Sequence, residues 1–112
     1  MSEGTYLELT AVISEHARFH HVPAYVEAVR RAHKFGLAGA SVFRGIEGFG
    51  HAHRVHETHA LQLNAHTSVL VVIVDREMRI REFLPQLQEI CGDHAVITTR
   101  VVEVLPTTIG RR

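Results

Sequence analysis

The residues best suited to bind a ligand lie between Arg44 and Arg54. This stretch contains three glycines, two arginines and two histidines, in the order Arg-Gly-Ile-Glu-Gly-Phe-Gly-His-Ala-His-Arg. Glycine lets a backbone approach a ligand closely, and arginine and neighbouring N–H groups attract anions. The stretch lacks the Gly-x-x-x-x-Gly-Lys-Ser/Thr pattern of a P-loop. We therefore predict a site for a small anion, and the alternative is a hairpin in which Arg44 makes a structural ion pair.

Histidines follow at a spacing that could bind a metal ion. Four of the ten histidines in the chain are His51, His53, His56 and His59. Imidazole is a ligand for zinc, copper and nickel, although no cysteine completes a closed structural zinc site here. A divalent-metal site on these four residues is the alternative function. A solvated histidine-rich loop and a pH sensor are the other two interpretations.

Composition sets the class of protein. The chain has 112 residues, 46% of them apolar, and twelve basic residues balance twelve acidic ones. We expect a single domain over residues 1–112, with no general attraction for nucleic acid. The lone cysteine, Cys91, and the absence of a recognisable signal peptide favour a cytoplasmic protein. The chain shows no serine triad or paired acids, so we predict that it is not an enzyme.

Hydrophobic periodicity predicts four strands and two helices. Tyr6 to Ile13 alternates as a half-buried strand, and Val69 to Val74 is apolar enough for a central strand. Ser14 to His21 is polar and irregular. Two further strands are expected over 38–46 and 95–105, with helices over about 23–35 and 75–91. The order β-α-β-β-α-β is typical of an α+β, ferredoxin-like fold, in which two helices cover one face of a four-stranded antiparallel sheet.

The two helices carry more detailed predictions. In the first, a stripe that includes Val26 and Ala28 should be buried, and the opposite face should carry Glu27 and its basic neighbours. Gly36 is expected to end that helix in the left-handed conformation. In the second, Asp75 is expected to be the N-terminal cap, and Pro85 to produce a kink or two helical pieces. One face of the second helix should be apolar, and it consists of Ile80, Phe83, Leu84, Leu87, Ile90 and Cys91.

A long motif resembles the PII-like family of unknown function called DUF190. It runs from Gly36 to Ile46 and is followed by Gly48-Phe49-Gly50, while the stretch from Asp75 to Leu87 is similar to the second helix of that family. The resemblance extends from Tyr6 to Leu105. The turn Gly92-Asp93-His94 departs from PII proteins, because it lacks their glycine- and lysine-rich phosphate loop.

The resemblance implies how such a protein would work. Related PII signalling and CutA proteins imply a homotrimer with ligand sites in clefts between subunits. A mobile segment similar to the PII T-loop would run from about 48 to 63 and would report a bound anion, in particular an adenine nucleotide. A membrane channel of the fluoride or camphor-resistance type is the implied partner. The implied ligand-binding residues are Ser41, Arg44, Gly45, Gly48, Phe49, Gly50 and Arg54.

Overall fold

The computed structural model describes residues 4–45 and 67–106. Its main feature is a four-stranded antiparallel sheet with strand order β4-β5-β1-β6 and two helices on one face. This arrangement confirms the predicted ferredoxin-like fold. The elements are β1 (Tyr6–Ser14), β2 (Arg18–Phe19), β3 (Val22–Pro23), α1 (Ala24–Phe35), β4 (Ala40–Arg44), β5 (Ser68–Arg76), α2 (Glu77–Cys91) and β6 (Ala95–Val102).

The two central strands supply one side of the core. On β1 every second residue is buried, namely Leu7, Leu9, Ala11 and Ile13. Leu9 is paired with Ile73 of β5 on one side and with Thr99 of β6 on the other. The predicted alternation of β1 and the central position of β5 are therefore confirmed. β5 continues past Val74 to Arg76, because its last residues still pair with the start of β1.

Helix α1 departs from its predicted buried face at two positions. Val26 is 42% exposed, whereas Glu27 is only 6% exposed, so the prediction for these two side chains is wrong. Glu27 tolerates burial because Arg30 donates two hydrogen bonds to its carboxylate, at 3.0 and 2.8 Å, and Arg31 donates one at 2.7 Å. Buried charges persist in proteins when they are paired in this way. The predicted burial of Ala28 is confirmed.

The end of α1 is confirmed. Gly36 has φ +89°, and its N–H donates to the carbonyl oxygens of Ala32 and His33. A left-handed residue that satisfies these last carbonyls ends the helix.

A small hairpin precedes α1 where the sequence predicted irregular structure. Strands β2 and β3 pair through Arg18 with Pro23 and Phe19 with Val22. The turn residues His20 and His21 have φ values of 50° and 74°. Turns of this kind usually contain glycine or asparagine, so two histidines gave no turn signal. Arg18 supports the turn, since its Nη2 donates to the carbonyl oxygen of His21 at 2.7 Å.

The start of helix α2 differs from its prediction. The helix is continuous with Pro85 inside it, so of the two predicted outcomes, a kink or two helical pieces, the second is excluded. The N-terminal cap is Arg76, the last residue of β5, so the prediction of Asp75 as the cap is wrong. The carboxylate of Asp75 instead accepts hydrogen bonds from the backbone N–H groups of Ala38, at 3.0 Å, and Arg76, at 2.6 Å. The predicted apolar face of α2 is confirmed, with Ile80, Phe83, Leu87, Ile90 and Cys91 buried.

The two outer strands are shorter than predicted. β4 covers Ala40–Arg44 and β6 ends at Val102. Every residue of β4 is exposed, because among residues 4–45 and 67–106 this edge strand pairs on one side only, with β5, and α1 covers little of it. Within the described residues, neither helix has the length and apolar character to cross a bilayer.

Candidate functional site

The candidate site lies where β4 ends and β5 begins. Arg44 is paired with Val69, and the N–H of Gly45 donates to the carbonyl oxygen of Ser68 at 2.7 Å. The two positions that flank residues 46–66 are therefore held side by side. Of the predicted ligand-binding residues, Ser41, Arg44 and Gly45 fall in this region. The remaining ones, together with the four predicted metal ligands, lie outside the described residues: Gly48, Phe49, Gly50, Arg54, His51, His53, His56 and His59.

Arg44 makes an ion pair with Glu15. Its Nη1 lies 2.7 Å from Oε2 of Glu15, which follows the end of β1. The structural ion pair considered from the sequence is thus present. The pair is open to solvent, since the Arg44 side chain is 56% exposed and the Glu15 side chain 26%. Exposed pairs of this kind contribute only about 0–1 kcal/mol to stability.

The other carboxylate oxygen of Glu15 is occupied by Thr67. The hydroxyl of Thr67 donates to Oε1 of Glu15, and the backbone N–H of Glu15 donates to the carbonyl oxygen of Thr67 at 3.0 Å. One carboxylate therefore contacts Arg44 on one flank of residues 46–66 and Thr67 on the other. Glu15 joins both flanks to the end of β1.

These contacts shift the ionisation of both partners. The hydrogen bond from Thr67, followed by the hydrogen bond and charge of Arg44, lowers the pKa of Glu15, and partial burial opposes the shift. Hydrogen bonding and the charge of Glu15 raise the pKa of Arg44, with a smaller contribution from Tyr25 of α1. Both side chains are therefore charged over the whole physiological pH range.

Ser41 and Arg44 lie on opposite faces of the sheet. Side chains alternate along a strand, and Ser41 is paired with Val72 whereas Arg44 is paired with the buried Val69. Arg44 is consequently on the side of the helices, beside Tyr25, and Ser41 is on the open side. Within one chain, a small anion bound to Arg44 would therefore be separated from Ser41 by the strand β4 itself.

Gly45 lies close to the neighbouring strand. A Cβ atom at this position would be 3.3 Å from the carbonyl oxygen of Ser68. This is tighter than ordinary contacts, so the short hydrogen bond between Gly45 and Ser68 favours glycine here. The position also leaves the backbone beside Arg44 accessible, because Gly45 is exposed.

This arrangement can bind an anion. A guanidinium carries five N–H donors, and Glu15 accepts from only part of that set. Phosphate and carboxylate groups match the planar donors of a guanidinium well, and an anion that binds across them would meet the carboxylate of Glu15 at Nη1. By contrast, residues 4–45 and 67–106 contain no group of three or more histidine, cysteine, aspartate or glutamate side chains that could hold a metal ion.

Sequence reasoning missed Glu15, Thr67 and Tyr25 as neighbours of Arg44. A signal for two of them was present in the predicted topology. In the ferredoxin-like order β1 pairs with the third long strand, so the residue after β1 must lie beside the residue before that strand. Those two residues are Glu15 and Thr67.

The chain matches a known protein family over most of its length. The family model DUF190, described as an uncharacterized ACR, matches residues 6–104. The chain belongs to the DUF190 family. It is 39% identical to a UPF0166 protein of Aquifex aeolicus over 93 residues, which cover 82% of this chain and 86% of that protein. It is 28% identical to a UPF0166 protein of Methanocaldococcus jannaschii over 89 residues, covering 80% and 82% of the two chains.

The DUF190 chain also has a structural relative. A crystal structure from Thermus thermophilus, described as that of a PII-like signaling protein, superposes with a TM-score of 0.52. The match covers 87% of this chain and 85% of that one, with 16% sequence identity. At this identity the similarity concerns the fold, which is therefore of the PII-like type.

Proposed function

We propose that this DUF190 protein is a regulatory protein that binds a small anionic ligand at Arg44 and Gly45. The observation that carries the proposal is the position of a charged, half-exposed arginine beside an exposed glycine at a sheet edge. Those two residues begin the stretch Arg44 to Arg54, which contains three glycines, two arginines and two histidines. Binding at this point would change the contact between Arg44 and Glu15 at the end of β1.

The proposed ligand is an adenine nucleotide. The proposed role is regulation and not catalysis. A nucleotide supplies phosphate oxygens for the guanidinium and for backbone N–H groups near Gly45. The PII-like fold of the chain supports this choice of role, although a fold alone can host many functions.

The proposal includes assembly into a homotrimer. The open face of the sheet carries apolar side chains from all four strands: Phe43, Leu70, Val72, Val12 and Val96. Phe43 is 56% exposed and Val96 43%. An apolar surface of this kind supports association, because water contact with it is unfavourable. In a trimer the ligand would lie between subunits, and the trimer would present its signal to a partner such as a membrane channel.

Thermal unfolding with added ligands tests the anion site. A ligand at about ten times its dissociation constant contributes about 1.4 kcal/mol to stability, which raises the Tm by several degrees. We expect ATP, ADP or inorganic pyrophosphate at millimolar concentration to produce such a rise. Arg44→Gln should abolish it.

Arg100→Gln is the matched control for that experiment. Arg100 of β6 also makes an ion pair with a glutamate, Glu8 of the adjacent strand β1. Nε of Arg100 lies 2.8 Å from Oε1 of Glu8, and the Arg100 side chain is 73% exposed. The control variant should keep the full ligand response. Equal Tm values with and without every phosphate compound in the wild-type protein would refute the proposed function.

A further inference from the structure

The carboxylate of Glu15 contacts one of the guanidinium donors to which the proposed anionic ligand would bind. Oε2 of Glu15 is 2.7 Å from Nη1 of Arg44, the distance expected for a charge-assisted hydrogen bond to a ligand oxygen. An incoming anion must therefore compete with an anion that belongs to the chain itself.

We infer that Glu15 is an internal competitor that sets which anions bind at Arg44 and that is displaced when they do. The inference rests on the proposed anion site and adds to it a residue that determines ligand selectivity. It follows from geometry, since the same carboxylate is shared between Arg44 and Thr67.

Competition with a carboxylate favours ligands of high charge. A monovalent anion would exchange one negative charge for another and gain little. A phosphate group with two or more charges and several acceptor oxygens gains both charge attraction and additional hydrogen bonds. The site should therefore select multiply charged phosphate compounds over chloride or acetate.

Displacement of Glu15 also has a structural consequence. Once Glu15 leaves Arg44, its hydrogen bond from Thr67 no longer links the two flanks of residues 46–66 through one side chain. The backbone bond from Gly45 to Ser68 remains, so the strands stay paired. Ligand binding would therefore break the link that Glu15 makes between Arg44 and Thr67 and would leave the strand pairing unchanged.

The test is the affinity for inorganic pyrophosphate, measured by titration calorimetry at constant ionic strength. Glu15→Gln removes the competing charge and keeps the size of the side chain, so we expect pyrophosphate to bind about five- to tenfold more tightly. Thr67→Val leaves the charge and removes one hydrogen bond that holds Glu15 in place. It should tighten binding by a smaller factor, about twofold.

Glu8→Gln is the matched control. It removes the same charge from a cross-strand pair with similar exposure of the glutamate side chain, 23% against 26% for Glu15. Its pyrophosphate affinity should stay within about twofold of the wild type.

The outcomes separate the inference from the proposed function. If wild type and Glu15→Gln bind pyrophosphate equally, or the variant binds it more weakly, while Arg44→Gln abolishes binding, the anion site stands and the competitor role is overturned. Equal tightening by Glu8→Gln also overturns it, because the effect would be one of net charge. If neither the wild-type protein nor any variant binds a phosphate compound, the proposed anion site and the competitor role of Glu15 are both overturned. Tightening in Glu15→Gln, and to a smaller degree in Thr67→Val, supports the inference even if one of the two variants folds poorly.

Discussion

Arg31 of α1 and Gln86 of α2 join the two helices, because Nη1 of Arg31 donates to Oε1 of Gln86 at 3.1 Å. The same guanidinium donates through Nε to the buried carboxylate of Glu27 at 2.7 Å. The layer of helices is therefore held by a polar network as well as by apolar packing. Glu27 is the acceptor at its centre.

Glu27 should make the stability of the protein dependent on pH. Hydrogen bonds from Arg30 and Arg31 lower the pKa of Glu27 from 4.5 to about 2. A carboxylate with a lowered pKa stabilises the folded state at pH values above its unfolded pKa, and this contribution is lost as pH falls towards the folded pKa. We expect the free energy of unfolding of wild type to exceed that of Glu27→Gln most at pH 6, with the difference shrinking between about pH 4.5 and pH 2. Urea unfolding at several pH values measures it, and a constant difference would contradict the prediction.

Phe83 should be the residue of α2 whose truncation costs most. Its side chain is fully buried, and its ring centroid lies 5.5 Å from that of Phe35 of α1. Phe83→Ala is expected to destabilise the fold by about 3–5 kcal/mol, because it leaves a cavity between helices and sheet. Met78 lies on the same helix and is 71% exposed. Met78→Ala should change the free energy of unfolding by less than about 0.5 kcal/mol in the same denaturant titration.

Gly36 should not tolerate a side chain. At φ +89° any other residue is strained, and a Cβ atom would lie 3.2 Å from Nη2 of Arg79. That nitrogen donates to the carbonyl oxygen of Phe35 at 2.8 Å and would have to move. Gly36→Ala is expected to lower stability by about 1–2 kcal/mol. For Gly39→Ala, where an added Cβ meets nothing within 4 Å, the free energy of unfolding should stay within about 0.5 kcal/mol of the wild-type value. Equal losses in the two variants would argue against the strain explanation.

Phe43 should control assembly. It is exposed on the open face of the sheet, where the proposed trimer would form. Burying a charge in an apolar interface is unfavourable, so Phe43→Glu is expected to convert trimers into monomers. Met78→Glu places the same charge on α2, outside that face, and should leave the mass unchanged. Light scattering coupled to size-exclusion chromatography gives the mass. A monomeric wild type, or a trimeric Phe43→Glu, would contradict the proposed interface.

The long elements of this fold could be predicted from periodicity because burial on one face dominates them. β1 and the apolar face of α2 are examples, since each buries its apolar positions against the same core. Glu27 shows where hydrophobic periodicity gives a wrong prediction of burial. Its burial depends on two arginines that surround it, and a pattern of apolar and polar residues does not record that pairing.

The candidate site could be located from sequence, but its contacts could not be identified. Arg44 and Gly45 were predicted as ligand-binding residues because arginine attracts anions and glycine lets the backbone approach a ligand. Glu15 contacts Arg44 and Thr67 contacts Glu15, and these residues from separate parts of the chain come together through the pairing of β1, β4 and β5. The predictions for Gly48, Phe49, Gly50, Arg54 and the four histidines stay predictions, because these residues lie outside the described part of the chain.

The hydrogen bond from Gly45 to Ser68 makes this position suitable for protein engineering. A foreign peptide or a fluorescent domain placed between those two residues would enter and leave through neighbouring points of the sheet. Doubling the length of such an insert costs only about 0.6 kcal/mol in chain entropy. With the proposed anion site beside it, such an insert would serve as an optical reporter of the ligand concentration.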